Sequence, residues 1–228
     1  MNNFIKIKNI NKKYEKNKLI KVLDDVSFNF ESGKIYSIVG PSGSGKSTLL
    51  NLLSLIDTPS SGTVEINQIK INFKNKIEND IIRAKNIGII YQDKNLLTDF
   101  SALENVYLPN LMLTKNKKLS VNSAKKMIKN IGLTSRLNHF PSELSGGENQ
   151  RIAIARALIN KPEIILADEP TGSLDFENAK KIFEILFNLK NKKRIIIFAT
   201  HNRFFANMAD CKIEMIDGKM KIINERIN

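Results

Sequence analysis

The chain of 228 residues has a single cysteine and no apolar run that approaches the roughly 20 residues needed to span a bilayer. Cys211 therefore has no partner for an internal disulfide, and we interpret it as inert packing in a protein of a reducing compartment. The start of the chain alternates like a strand and lacks the apolar block of a signal peptide. We accordingly expect a cytoplasmic globular protein.

Negative charge is also scarce, because 23 acidic residues stand against 36 lysine and arginine residues, a formal net charge of +13. The excess is open to two interpretations: attraction to anionic lipid or nucleic acid, or a lysine-rich background spread over solvated faces. Clusters such as Lys115-Asn116-Lys117-Lys118 and Lys190-Asn191-Lys192-Lys193-Arg194 contain no interleaved aromatics that would stack on bases. The sequence therefore favours the solvated background, and we expect no direct binding of nucleic acid.

The length and the 42% hydrophobic content suit one α/β domain with an insertion. Strand-like alternation fills the opening third, whereas residues from about 95 to 157 carry helical patterning. Two β-rich segments follow, and Asp217-Gly218 is typical of a closing hairpin. We predict an α/β core, about 1–92 and 158–228, with an N-terminal antiparallel β part and a helical subdomain at about 93–157.

A glycine-rich loop follows the apolar run Ile35–Val39 and matches the pattern G-x-x-x-x-G-K-[ST] in full. With the threonine after it, the loop consists of Gly40, Pro41, Ser42, Gly43, Ser44, Gly45, Lys46, Ser47 and Thr48. Glycines let successive N–H groups converge on phosphate oxygens, and the following helix directs its positive end at the same anions. We expect Lys46 to contact the β- and γ-phosphates and Ser47 to offer its hydroxyl to Mg²⁺.

Two adjacent carboxylates end a later apolar strand, in the run Leu166-Ala167-Asp168-Glu169-Pro170. Asp168 is placed to hold Mg²⁺, directly or through water, and Glu169 to polarise an attacking water as general base. Carboxylates also follow strands by chance, so the catalytic interpretation depends on the phosphate loop upstream. Together the two features predict hydrolysis of a bound nucleotide.

Three further side chains are candidates because of their places along the chain. His201 follows the apolar run Ile195–Thr200, and a residue at the carboxyl end of a parallel strand faces the ligand crevice. Gln92 stands where the core passes into the helical segment and can reach Mg²⁺ or the attacking water. Tyr14 either stacks on adenine or packs on the strands, and we expect stacking.

The run Leu144-Ser145-Gly146-Gly147-Glu148, hereafter the signature segment, stands shortly before the carboxylates. Ser145 and the N–H groups of Gly146 and Gly147 would open a helix whose positive end suits a phosphate. With the phosphate loop, Gln92, the two carboxylates and His201, this segment resembles the pattern of the ATP-binding cassette (ABC) family across essentially the whole chain. The resemblance implies ATP and Mg²⁺ as ligands, with Ser47, Gln92 and Asp168 on the metal and Glu169, Gln92 and His201 in catalysis.

In that family two cassettes meet head to tail, so the resemblance also implies a second copy of this chain. The partner's Ser145, Gly146, Gly147 and Glu148 would complete each ATP site. Tyr14 would be the adenine platform, and Ser173-Leu174-Asp175 a dimer-contact loop.

Two positions depart from the family pattern. Asn202 stands where relatives commonly carry aspartate, and Asn149 where arginine or glutamine is often found. We assign neither a catalytic role and infer no loss of activity from them.

A narrower similarity rests on Tyr91-Gln92, on the segment from Asn95 to Val106, and on Pro141-Ser142-Glu143. These resemble the ATPase subunits of lipoprotein-releasing systems, whose relatives include the ATPases of macrolide exporters and of cell-division complexes. The resemblance implies a peripheral subunit on the cytoplasmic face of the bacterial inner membrane, bound to integral permease subunits. The alternative is a soluble ABC ATPase acting on nucleic acid or ribosomes, but such chains usually carry two cassettes or a long coiled-coil insertion, which this one lacks.

Overall fold

A computed structural model of the protein describes residues 4–15 and 19–225, so the first three residues of the predicted opening strand lie outside the described ranges. The strands are β1 Phe4–Glu15, β2 Leu19–Glu31, β3 Ile35–Val39, β4 Ser61–Ile66, β5 Ile69–Lys70, β6 Ile87–Ile90, β7 Ile164–Asp168, β8 Ile195–Ala199, β9 Cys211–Ile216 and β10 Lys219–Glu225. The helices are α1 Lys46–Leu53, α2 Lys76–Asn86, α3 Ala102–Thr114, α4 Lys117–Asn130, α5 Gly146–Leu158, α6 Phe176–Asn188 and α7 Arg203–Ala206.

The larger sheet is mostly parallel, with the strand order β10-β9-β3-β8-β7-β6. Neighbours from β9 to β6 run parallel, and only β10 pairs antiparallel, with β9. The carboxyl ends of β3, β7 and β8 therefore meet at one edge of the sheet. The phosphate loop, Asp168 and His201 all lie at or directly after those ends, which is where ligands bind in sheets of this kind.

Alternate residues of β8 pack into two different cores. Ile195 and Ile197 belong to the core that contains α1, whereas Ile196 and Phe198 belong to the core that contains α6. Phe183 of α6 meets Phe198 edge to face, with ring centroids 5.1 Å apart. Because helices cover both faces, β8 is buried along its whole length, which explains its unbroken apolar sequence.

The smaller sheet is antiparallel, with the order β2-β1-β4-β5. Ile5, Ile7 and Ile10 of β1 are all buried, although the spacing between the last two is three residues. A register shift lies between Ile7 and Ile10, and Asn9 has a φ of 50°. This bulge returns Ile10 to the buried face. The N-terminal antiparallel part of the predicted fold is confirmed.

Helices α3, α4 and α5 lie between β6 and β7 in the chain and build a core of their own. α5 connects this core to the larger sheet, because Ile152 and Ala155 pack among the inserted helices while Ile154 and Leu158 pack against α6. The inserted helical subdomain is thus confirmed, and its boundaries near residues 92 and 158 stay a prediction. Within the described ranges, every helix is too short or too polar to cross a membrane.

The predicted hairpin joins β9 to β10 and also supports the phosphate loop. Asp217 and Gly218 have φ values of 49° and 76°, the left-handed pair that suits a two-residue hairpin turn. The Gly218 N–H donates to the carbonyl of Ser44 at 3.2 Å, and its carbonyl accepts from the N–H of Asp24 at 2.9 Å. The turn therefore ties β2 and the phosphate loop together.

Candidate functional site

Most of the predicted site residues meet around one open cavity of about 340 Å³ at the carboxyl edge of the larger sheet. It is lined by Val22, Ser42, Gly43, Gly45, Lys46, Ser47, Thr48, Gln92, Asp168, Glu169 and His201. Segments far apart in the chain thus contribute to a single site. Val22 of β2 is the one lining residue that the sequence did not suggest.

The phosphate loop has a backbone that only glycine permits at two positions. A Cβ on Gly40, which has a φ of 150°, would lie 2.1 Å from the carbonyl oxygen of Met215. A Cβ on Gly45, with a φ of 102°, would lie 2.7 Å from the carbonyl oxygen of Val22. Gly45 is also the N-cap of α1 and has no side chain to accept the first helical N–H groups. Those donors are available to an anion in the cavity.

Lys46 is buried beneath this loop, with 6% of its surface exposed. Its ammonium donates to the carbonyls of Gly40 and Pro41, both at 2.9 Å, which uses two of its three N–H donors. Burial lowers the pKa of Lys46, and the nearby carboxylates of Glu169 and Asp168 oppose that shift. A bound phosphate would add the negative charge and the remaining acceptor that a buried ammonium requires.

Each of the two carboxylates has one buried oxygen without a hydrogen-bond donor in the described part of the chain. Oδ1 of Asp168 and Oε1 of Glu169 are buried and accept no hydrogen bond from the described residues, and the same holds for Oγ of Ser44. Glu169 has a φ of 45°, uncommon for a side chain of its size and typical of strained functional positions. Burial raises the pKa of Glu169, and a hydrogen bond from the His201 N–H opposes the rise.

These residues fit Mg²⁺, which takes oxygen ligands and commonly combines one or two carboxylates with substrate phosphates and water. The hydroxyl of Ser47, the amide of Gln92 and the carboxylate of Asp168 all line the cavity. In the part of the chain that the structure describes, no three His, Cys, Asp or Glu residues cluster as a metal site. A cation here would therefore depend on phosphate oxygens for much of its coordination.

Gln92 follows β6 and packs against the loop after Glu169. A Cβ on Gly172 would lie only 3.0 Å from Nε2 of Gln92, so the absence of a side chain there makes room for the amide. The segment that follows Gln92 forms hydrogen bonds with two other parts of the chain. Neither contact was predicted from the sequence.

The first tie is Arg156 of α5, whose guanidinium donates to the carbonyls of Lys94 and Asn95 at 2.6 and 2.5 Å. The second is the ammonium of Lys94, which lies 2.6 Å from Oγ of Ser173 in the predicted dimer-contact loop. Burial lowers the pKa of Arg156. The sequence does contain an indication of this contact: Arg156 stands within an apolar part of α5, and a buried arginine needs hydrogen-bond acceptors.

The signature segment lies elsewhere, since none of its residues lines the cavity. Ser145 caps α5: its hydroxyl accepts from the N–H of Glu148 at 3.2 Å, and the Glu148 carboxylate accepts from the N–H of Ser145 at 2.8 Å. That backbone hydrogen bond and the Arg136 guanidinium at 2.9 Å lower the pKa of Glu148 to about 2. Ser145 and Gly146 are exposed, so this helix start faces outward from its own chain.

Tyr14 does not line the cavity either. Its hydroxyl donates to Oδ2 of Asp57 at 2.6 Å, and the Lys12 ammonium lies 4.6 Å from the ring centroid. Burial raises the pKa of Tyr14, as does the bond to Asp57. The residue is 39% exposed and stands close enough to Thr48 for their hydroxyls to interact. Stacking on adenine stays a prediction.

The two departures from the family pattern have local structural roles. Asn202 is the N-cap of α7 and accepts from the N–H of Phe204 at 2.9 Å. The Asn149 amide donates to the carbonyls of Pro141 and Leu144 at 2.9 and 3.1 Å, which holds the approach to the signature segment. Each asparagine thus stabilises the loop next to a predicted site residue.

Comparison with known proteins gives a consistent result. Residues 23–172 match the family model described as ABC transporter. The "Lipoprotein-releasing system ATP-binding protein LolD" of Rickettsia bellii is 42% identical over 225 residues, which is 97% of this chain and 99% of that protein. The protein of the same name from Wigglesworthia glossinidia brevipalpis is 45% identical over 224 residues, or 96% and 98% of the two chains.

Solved structures agree with these sequence matches. One, described as a dimeric post-hydrolysis state of the ATP-binding cassette MJ0796 bound to ADP and Pi, has a TM-score of 0.91 at 37% identity and covers 98% of this chain and 99% of its own. A second, described as a dimeric structure of the bacterial ABC transporter cassette MJ0796, has a TM-score of 0.89 at 38% identity, with 96% and 99% covered. The predicted fold class is therefore confirmed.

Proposed function

The chain belongs to the ABC transporter family, and we propose that it is the ATP-hydrolysing subunit of a lipoprotein-releasing system. The observation that carries the ATPase assignment is the meeting of Lys46, Asp168, Glu169 and His201 in one cavity. The assignment to lipoprotein release is supported by relatives of that name that are 42% and 45% identical over almost the full length of both chains.

The chain's own residues supply the parts of a hydrolytic site. Lys46 and the N–H groups at the start of α1 bind the phosphate chain, and Glu169 accepts the proton of the attacking water. His201, beside Glu169, orients that water and contacts the γ-phosphate. Ser47, Gln92 and Asp168 would hold Mg²⁺, whose chemistry when bound would be to neutralise phosphate charge. Tyr14 offers an exposed ring to the adenine.

The second half of each site comes from another copy of the chain. The exposed helix start at Ser145 and Gly146 is a ready anion site, yet it lies outside the cavity of its own chain. In an isologous two-fold dimer each signature segment would cap the γ-phosphate held by the partner's phosphate loop. ATP would then stabilise the closed dimer, because it contacts both copies only in that state.

The integral membrane partner would dock in a cleft of about 450 Å³ between the core and the helical subdomain. Tyr91, Met112 and Arg156 line this cleft, and Met112 is 73% exposed. Arg156 also donates to the carbonyls of Lys94 and Asn95, which follow Gln92. A partner bound in the cleft would therefore be able to shift Gln92 in the nucleotide site. This arrangement would place the protein on the cytoplasmic face of the inner membrane, with residues 93–157 turning about Gln92.

Affinity purification of the tagged chain from detergent-solubilised membranes tests this function. We expect integral membrane proteins to copurify in stoichiometric amounts, and the complex to release lipoproteins from membranes when ATP and Mg²⁺ are added. Release of another substrate would point to an exporter, and a requirement for division proteins to a cell-division complex. Bound ribosomal RNA without a membrane protein would instead support the soluble alternative.

A further inference from the structure

Positive charge is concentrated in one part of the chain. Between Glu104 and Glu143 there is no aspartate or glutamate, and this stretch contains Lys115, Lys117, Lys118, Lys125, Lys126, Lys129 and Arg136. In the structure it comprises most of α3, all of α4 and the turns that follow. This stretch alone contributes seven positive charges and no negative one to the formal +13, so the excess charge is not spread evenly along the chain.

The lysines of α4 lie on its exposed side. Lys118, Lys125 and Lys129 follow one another at intervals of seven and four residues, which aligns them along a single stripe of the helix. All three are exposed, as is the neighbouring Lys126. The inner side of α4 is formed by residues such as Ile128, which packs into the core of the subdomain.

No carboxylate neutralises this stripe within the described residues. The ion pairs found there involve none of Lys118, Lys125, Lys126 and Lys129. Like charges spaced along one helix face repel one another and contribute nothing to the stability of the helix. Among the described residues, the stripe is thus a positive surface with no acidic side chain in an ion pair with it.

The surface continues into a groove that adjoins the proposed permease cleft. Lys126, Lys161 and Leu119 line a groove of about 480 Å³, and Leu119 is 51% exposed. Asn160 lines both this groove and the cleft that contains Met112. A permease bound in the cleft would therefore stand beside the lysines of α4.

We propose that Lys118, Lys125, Lys126 and Lys129 bind the anionic headgroups of a phospholipid membrane. A helix with several lysines and an exposed leucine suits such a surface, where point charges on long flexible stems meet mobile phosphates. α4 contains no aromatic residue that could stack on bases, which disfavours single-stranded nucleic acid. The inference rests on the proposed function, because an integral membrane partner is what brings this surface near the bilayer.

Sedimentation with vesicles tests the proposal on the whole protein. The vesicles contain either phosphatidylcholine alone or phosphatidylcholine with phosphatidylglycerol. The test variant carries Lys118→Gln, Lys125→Gln and Lys129→Gln, and the matched control carries Lys180→Gln, Lys181→Gln and Lys192→Gln, exposed lysines outside the helical subdomain. Both variants lose three positive charges from the formal +13, so the general attraction to anions falls equally.

We expect the wild type and the control to bind only the vesicles with phosphatidylglycerol, and less at high salt. The test variant should bind on the order of a hundredfold more weakly, at about a factor of five per lysine. An equal loss in both variants, or no binding by the wild type, would overturn the proposal. So would tighter binding of the wild type to duplex DNA or RNA that is lost in the test variant.

Measurement of ATP hydrolysis separates this inference from the proposed function. Both variants should hydrolyse ATP like the wild type, since their substitutions lie away from the site. A wild type without ATPase activity would refute the proposed function whatever the vesicles show. Normal activity in all three proteins, with no difference in vesicle binding, would refute only the lipid surface.

Discussion

Nε2 of His201 lies 3.4 Å from Oε1 of Glu169, and the main-chain N–H of His201 donates to Oε2 of the same carboxylate at 3.2 Å. His201, just after β8, thus fixes one oxygen of Glu169 through its main chain and places its imidazole close to the other, which accepts no hydrogen bond from the described residues. Because the carboxylate is oriented in this way and burial raises its pKa, it is suited to accept a proton from water.

Glu169→Gln should leave ATP binding intact and slow hydrolysis by about a hundredfold or more, because the amide keeps the shape but accepts no proton. ATP should then hold the protein as a dimer, which size-exclusion chromatography with and without ATP would show. Turnover equal to that of the wild type would refute Glu169 as the base.

The pH dependence of kcat/KM should have an acidic limb that lies above the usual range of a glutamate. Burial raises the pKa of Glu169 from 4.5, and only the deprotonated carboxylate can act as a base, so activity is lost as the pH falls through this raised value. The measurement is steady-state hydrolysis at saturating Mg²⁺ across the acid range. A loss of activity only at or below pH 4.5 would contradict the role of Glu169 as base. So would the same pH dependence in Glu169→Gln.

Lys46→Ala should weaken ATP binding at least tenfold, because charged hydrogen bonds to phosphate contribute about 1.5–3 kcal/mol each. Titration with a fluorescent ATP analogue gives the affinity. Lys74→Ala is a suitable control, since Lys74 is exposed in a loop outside the cavity. Tight ATP binding by Lys46→Ala would count against the phosphate-loop interpretation.

Arg156→Lys should lower kcat about tenfold while ATP affinity changes little, because a lysine cannot supply the planar fork that holds the carbonyls of Lys94 and Asn95. The segment next to Gln92 would then lose its fixed position. The readout is kcat compared with KM, together with the melting temperature. Unchanged kcat in a stably folded variant would show that this tie does not position Gln92.

The parts of the site that depend on short contiguous patterns were predictable from sequence. Gly40 and Gly45 are required by the backbone of a single loop, and the apolar run before Asp168 identifies a buried strand directly. The bulge at Asn9 was only partly predictable: the sequence shows the unusual spacing between Ile7 and Ile10, but only the structure shows the register shift that causes it.

Contacts between distant segments were not predictable in the same way. The bonds from Arg156 to the carbonyls after Gln92 join residues about sixty positions apart, and no local pattern specifies them. α6 is a different case, because its apolar spacing at Ile182, Phe183 and Leu186 is that of a helix and is sufficient to predict one. The lysine-rich stretch of α4 is visible in the sequence, but the structure was needed to show that these lysines lie exposed on one side of the helix.

The location of the signature segment outside its own chain's cavity has a genetic consequence. A Cβ on Gly146 would meet only Leu174, at 3.6 Å, so Gly146→Asp should fold while repelling the partner's phosphate. Consider a dimer of one Gly146→Asp copy and one Lys46→Ala copy. Both substitutions then lie in the same ATP site, and the other ATP site has an unaltered phosphate loop and an unaltered signature segment. Two alleles that are each inactive alone should therefore complement each other in one cell.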